Sequence, residues 1–200
     1  MHLLVGLGNP GLQYSKNRHN VGFLIVDKIQ QEYGFPKYKE KFVGYISENK
    51  IKENKVFLLK PQTFMNDSGR SVIEASSFYK IPVDNIIVIH DEIDLVPAKV
   101  QLKKGGGFAG HKGLESIGHH VGKDFYRIRV GVGHPGEKDL VSGYVLSDFS
   151  KDDKQWVGKI VKNVSEQIES AISGDEIKFN QKMSDGSNTS IADVTAKIEK

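Results

Sequence analysis

The sequence predicts a one-domain α/β protein, a sheet packed between helices, on three observations. Residues 3–23 run LLVGL into a glycine-proline turn and then into a helical stretch, which makes a strand–turn–helix unit. Residues 86–89, IIVI, are apolar at every position, as expected of a strand covered by helices on both faces. Finally, 200 residues with no cysteine can bury a core without disulfide or thiolate-metal support.

The elements follow in order. Residues 2–8 predict the first strand, and 19–33 a helix closed by Gly34 with Pro36 beyond it. FVGYISENK and KVFLLKPQT predict a hairpin around a polar turn from Glu48 to Asn54. DSGRSVIEASSFYK predicts a second amphipathic helix that ends before Pro82, and DNIIVIHDEID the next strand. Glycines 105, 106, 107, 110 and 113 break up a long loop, expected to be mobile, before a short helix over 114–121 and a strand in YRIRVGVG. Ser150 and Asp153 read as a capping pair, and Trp156, Ile160, Val164, Ile168 and Ala171 keep helical spacing over 151–173. Residues 184–200 are small and polar and predict a flexible tail behind a folded unit of 1–183.

MHLLVGLGNPG lacks the basic start and long apolar run of a secretory signal, and no stretch of about 18 apolar residues could span a bilayer. A soluble cytoplasmic protein without membrane contact is expected. The net charge of +3 is mild. Between 99 and 138, however, Lys99, Lys103, Lys104, Lys112, Lys123, Arg127, Arg129 and Lys138 face only Glu115, Asp124 and Glu137. Such a segment is either a solvated face or a surface for a phosphate backbone.

Three apolar strands empty into polar loops: LLVGL into Asn9, VFLL into Phe64-Met65-Asn66, and IIVI into His90-Asp91-Glu92. If these strands are parallel neighbours, the loops converge where open α/β sheets bind ligands. A hydrolase without cysteine or metal needs a base of near-neutral pKa, a carboxylate to fix its tautomer, and neutral donors for the carbonyl under attack. His19, Asp91, Asn9 and Asn66 match those roles. Each has a plainer rival: His19 as a surface histidine, Asp91 and Asn9 as turn formers, Asn66 as a helix cap. Their joint position at strand ends favours the functional choice. Tyr14 and Phe64, ordinarily packing residues, would stack on a base or a peptide side chain beside such a site.

Two other chemistries are weighed. A metal centre could draw on His90, Asp91, Glu92, His119 and His120, but neighbouring strand residues point to opposite faces, so no metal is expected. GLGNPG satisfies the dinucleotide pattern G-x-G-x-x-G. Against it, LQYSKNR intervenes before helical spacing begins, and the acid about 20 residues on, Asp27, falls inside the predicted helix.

In their order and spacing, GLGNPG with Tyr14 and Arg18-His19-Asn20, then KPQTFMNDSG, HDEIDL, GGGFAGHKGL and RIRVGVGHPG resemble bacterial-type peptidyl-tRNA hydrolase over about residues 3–180. The resemblance implies a single α/β domain with a twisted, mixed and mostly parallel sheet flanked by helices, of phosphorylase/hydrolase-like type. It also implies a monomer without metal or cofactor that hydrolyses the ester joining a peptide to tRNA. The matched positions imply His19 activating water, Asp91 holding it in its basic form, and Asn9 and Asn66 binding the peptide and its carbonyl. They further imply Tyr14 and Phe64 contacting substrate, His111 supporting the loop, and Lys103 and Arg129 clamping the 5′ phosphate of tRNA. Two residues depart from the family pattern: Lys112 stands where an asparagine is usual beside the substrate, and Phe108 where a small or polar residue is usual. An ammonium only donates, whereas an amide also accepts. The rival class is a non-catalytic RNA-binding relative, which the presence of His19 and Asp91 disfavours.

Overall fold

The computed structural model describes residues 1–185, through which one seven-stranded sheet runs. Its strands are β1 His2–Gly6, β2 Lys39–Lys41, β3 Gly44–Ile51, β4 Asn54–Pro61, β5 Ile86–Glu92, β6 Val100–Lys104 and β7 Tyr126–Gly131. The spatial order is β2-β3-β4-β1-β5-β7-β6. The inner four, β4, β1, β5 and β7, are parallel; β2, β3 and β6 join antiparallel at the two edges. Leu4 of β1 lies in register with Leu58 on one side and Ile87 on the other.

Helices α1 Val21–Glu32, α2 Ser68–Tyr79, α3 Lys112–Val121, α4 Val141–Val145, α5 Lys151–Glu166 and α6 Ile168–Ile172 complete the fold. Strand alternation divides the core in two. Leu3, Val5, Phe57, Leu59 and Val88 pack with Val72 and Ala75 of α2 and Leu114 and Ile117 of α3. Leu4, Leu58, Ile87, Ile89 and Ile128 pack on the opposite face with Ile25 and Ile29 of α1 and Val157, Ile160 and Val164 of α5. The inner strands are apolar at successive positions because both of their faces are covered. Each fully buried aliphatic side chain contributes about 2 kcal/mol.

Several elements differ from the sequence expectation. The first strand stops at Gly6, and the helix expected from 19 starts at Val21 after a 3-10 turn, Arg18–Asn20. The expected 151–173 helix breaks at Gln167 into α5 and α6, although Val164, Ile168 and Ala171 all remain in one core across the break. The Ser150–Asp153 capping box is present. Strands β2 and β6 and helix α4 were not anticipated. Residues 176–185 are also helical, with Phe179 and Met183 buried. Ser184 and Asp185 therefore belong to a helical segment, while the rest of the expected tail, 186–200, lies outside the described residues. Among the described residues no helix is long and apolar enough to cross a membrane.

Candidate active site

The chain leaves β1 through α1 toward the β4 side of the sheet and leaves β5 through β6 and α3 toward β7 on the other side. Beyond the carboxyl ends of β1 and β5 the connections thus diverge and open a crevice, the usual ligand position in such sheets. The loops after β4, β1 and β5 meet there because those strands are adjacent and parallel.

His19 reaches the crevice on the Arg18–Asn20 turn, pressed against the sheet by the start of α1. A Cβ on Gly22 would lie 2.3 Å from the Ile89 carbonyl oxygen and 2.4 Å from Leu7 N, so only glycine lets the helix sit this close. Arg18 secures the other side of the turn. Its guanidinium donates to Ser147 O, Ser147 Oγ, Asp148 O and Asp153 Oδ2, and lies over the Tyr144 ring. His19 therefore stands on a braced support.

At the end of β5, Asp91 is buried and receives two imidazoles on one oxygen: His19 Nδ1 at 2.8 Å and His111 Nε2 at 3.1 Å from Oδ1. An ionised carboxylate only accepts, so His19 donates its Nδ1 proton and keeps a lone pair on Nε2. His111 is also the N-cap of α3, its Nδ1 accepting from the N–H groups of Gly113 and Leu114 at 3.2 and 3.3 Å. Its proton must therefore sit on Nε2, facing Asp91. Behind them, fully buried His90 donates from Nδ1 to the Asp91 carbonyl, and its Nε2 has no partner among the described residues.

Opposing effects set the charges. Burial penalises charge on His19, but attraction to Asp91 and their hydrogen bond outweigh it and raise the pKa above 6.5. Burial would likewise raise that of Asp91, yet the two histidines hold its carboxyl far below the usual range. Burial, helped by neighbouring His111, keeps His90 neutral, with a pKa well below 6.5. The result is a near-neutral base beside a fixed negative charge.

The ligand atoms of His19, Asp91 and His111 lie within 4.8 Å of one another, close enough to consider a cation. Hydrogen-bond polarity opposes one. To bind metal through Nε2 while Nδ1 still caps α3, His111 would have to be an imidazolate, whereas a proton in each gap satisfies every partner. The consecutive residues His90, Asp91 and Glu92 do not form the cluster.

Asn9 and Asn20 are bound reciprocally: Asn9 N–H donates to Asn20 Oδ1 at 3.0 Å, and Asn20 Nδ2 to the Asn9 carbonyl at 2.9 Å. Met65 N–H donates to Asn9 Oδ1 at 2.8 Å, which ties the loop after β4 to that after β1 and fixes Asn9 Nδ2 as a donor that is unused among the described residues. Asn66 and Phe64 are exposed beside it, Phe64 by 62%, and Tyr14 is half-buried on the 3-10 turn Leu12–Tyr14. Lys112 points outward to Glu115, 3.0 Å away. Arg129 is bound to Glu92 at 2.9 Å and Gln101 at 3.2 Å, while Lys103 is exposed and in register with Arg127 on the neighbouring strand. Sequence reasoning missed the bracing by Arg18, the reciprocal pairing by Asn20 and the burial of Arg127. The RHN triplet carried a signal for the first two.

A family model described as peptidyl-tRNA hydrolase matches residues 3–192. A peptidyl-tRNA hydrolase of Ruegeria pomeroyi is 50% identical over 179 residues, covering 90% of this chain and 75% of its own length. That of Beijerinckia indica is 50% identical over 183 residues and 92% of each chain. The crystal structure of peptidyl-tRNA hydrolase from Acinetobacter baumannii is similar, with a TM-score of 0.87 and 38% identity over 92% of this chain and 94% of its own.

Proposed function

We propose, for a chain that belongs to the peptidyl-tRNA hydrolase family and hydrolyses the ester of peptidyl-tRNA, that His19 activates the attacking water and Asp91 orients His19. The 2.8 Å contact between them carries the assignment. The Nε2 lone pair takes a proton from water as its oxygen attacks the ester carbonyl, and Asp91 stabilises the imidazolium so formed. Asn9 Nδ2 and the Asn66 amide donate to the oxyanion of the tetrahedral intermediate. Its collapse breaks the bond to the terminal ribose oxygen, which takes the proton back from His19. Peptide acid and tRNA leave.

Tyr14 and Phe64 flank the substrate's end, and Lys103 and Arg129 meet tRNA phosphate, the role that gives the basic excess of 99–138 a purpose. His111 supports the site through Asp91. The enzyme acts as a cytoplasmic monomer, as the family resemblance implies, with no cofactor. Incubation with N-acetyl-aminoacyl-tRNA and with free aminoacyl-tRNA, each with and without a chelator, tests this. Cleavage of the blocked form alone, unaffected by chelation, is expected; equal cleavage of both, or loss on chelation, overturns it.

A further inference from the structure

Granting the roles given above to His19 and Asp91, we propose that Phe108 and Arg127 clamp the glycine-rich loop and thereby position His111 on Asp91. The loop between β6 and α3 contains glycine at 105, 106, 107 and 110, a composition that favours many conformations. Three contacts hold one of them.

The first is a ring in a notch. Phe108 packs onto α3 at Gly118, where an added Cβ would meet its Cζ at 2.2 Å, and lies parallel to the buried Phe125 ring with centroids 6.3 Å apart. The second is a charge. Arg127 is only 3% exposed and, among the described residues, has no carboxylate within hydrogen-bond reach, yet its Nη1 donates to the Gly107 carbonyl at 2.7 Å. Its guanidinium lies 5.8 and 5.9 Å from the Phe108 and Phe125 centroids. Its buried Nε has no hydrogen-bond partner among the described residues, so the Nη1 bond to the loop carbonyl and the two rings carry the compensation for burying this charge, and their loss would be costly. The third contact transmits the effect. The Phe108 carbonyl accepts from His111 N–H at 2.8 Å across a tight turn whose central residues, Ala109 and Gly110, both have positive φ, 47° and 75°. Placing the Phe108 ring thus places the His111 backbone, and with it the Nε2 proton that Asp91 receives.

Phe108, one of the two departures from the family pattern, thereby acquires a role. Neither it nor Arg127 touches substrate; both are positioning residues. The sharpest variant is Gly118→Ala. It fills the notch from the α3 side and pushes the Phe108 ring out, while the better helix propensity of alanine offsets part of the packing cost.

Expected for Gly118→Ala and Phe108→Ala alike is a fall in kcat of about tenfold with little change in KM, since small misplacements near a site slow chemistry more than binding. The imidazole N–H signal of His111, hydrogen-bonded to Asp91 at 3.1 Å, should be broader in both than in the wild type. Phe108→Leu, which keeps an apolar side chain in the notch, should retain most of the rate, and circular dichroism should show Gly118→Ala folded at the assay temperature. A wild-type kcat and an unchanged His111 resonance in Gly118→Ala overturn the clamp. His19→Ala, run in parallel, separates the two levels: if it is inactive while Gly118→Ala is unaffected, the clamp alone fails; if it remains active, the roles of His19 and Asp91 fail first.

Discussion

Replacing Asp91 with asparagine keeps the shape of the side chain and removes its charge. A carboxylate and an imidazolium whose charges lie about 4 Å apart attract by about 4 kcal/mol at an effective dielectric of about 20. A neutral hydrogen bond in the same place retains about 1 kcal/mol. The remaining 3 kcal/mol or so of transition-state stabilisation corresponds to a loss of about a hundredfold in kcat. An amide that turned its Nδ2 toward His19 would move the imidazole proton to Nε2 and deepen the loss. The pH dependence has a definite sign. With the carboxylate present, attraction outweighs burial and His19 titrates above 6.5; with an amide, burial dominates and it titrates below. The acid limb of kcat/KM, measured on N-acetyl-aminoacyl-tRNA between about pH 5 and 9, therefore shifts to lower pH in the variant. A loss smaller than about threefold, or an acid limb that stays in place or moves upward, would refute the pairing of these two residues.

Lys112→Asn restores an amide beside the crevice and is expected to raise kcat by about threefold, the value of one modest neutral hydrogen bond; single-turnover rates decide, and no gain or a loss contradicts it. His90 gives a stability prediction. Its folded pKa is depressed, so its contribution is complete above the unfolded value near 6.5 and is lost as pH falls below it, by up to about 1.4 kcal/mol per pH unit. His19, whose folded pKa is raised, contributes in the opposite sense and is already complete below 6.5. Urea unfolding at about pH 6.5 and 5.5 should thus show a steeper acid loss in the wild type than in His90→Gln; equal slopes would mean that His90 is not held neutral.

Much of this was legible in the sequence because it depends on local pattern. LLVGL, VFLL and IIVI announce buried parallel strands by being apolar at every position, and the loops after the first two carry Asn9 and Asn66, whereas His90-Asp91-Glu92, expected as a loop, continues β5 and puts Asp91 at its carboxyl end. What stayed hidden lacks a local signature. β2 is KEK, wholly exposed, held by its register with β3 and by Lys41 lying over the Phe78 ring, and β6 hides two inward apolar residues, Val100 and Leu102, among lysines. The alternation in YRIRVGVG marks β7 but puts Arg127 on what looks like a polar face, where Phe108 and Phe125 cover it. His111 gives no hint of its capping role, since histidine is not among the favoured N-cap residues. The glycine-rich loop reads as free by composition, because what holds it, the bare Gly118 notch of α3, Phe125 and Arg127 of β7, lies later in the chain.

His19→Ala is the most direct test of the chemistry proposed at the crevice. With tRNA affinity measured separately, the variant should lose hydrolysis of N-acetyl-aminoacyl-tRNA by at least about a hundredfold while binding tRNA within about twofold of the wild type, because the imidazole carries the proton and the Lys/Arg surface carries the affinity. Hydrolysis at an undiminished rate would contradict it.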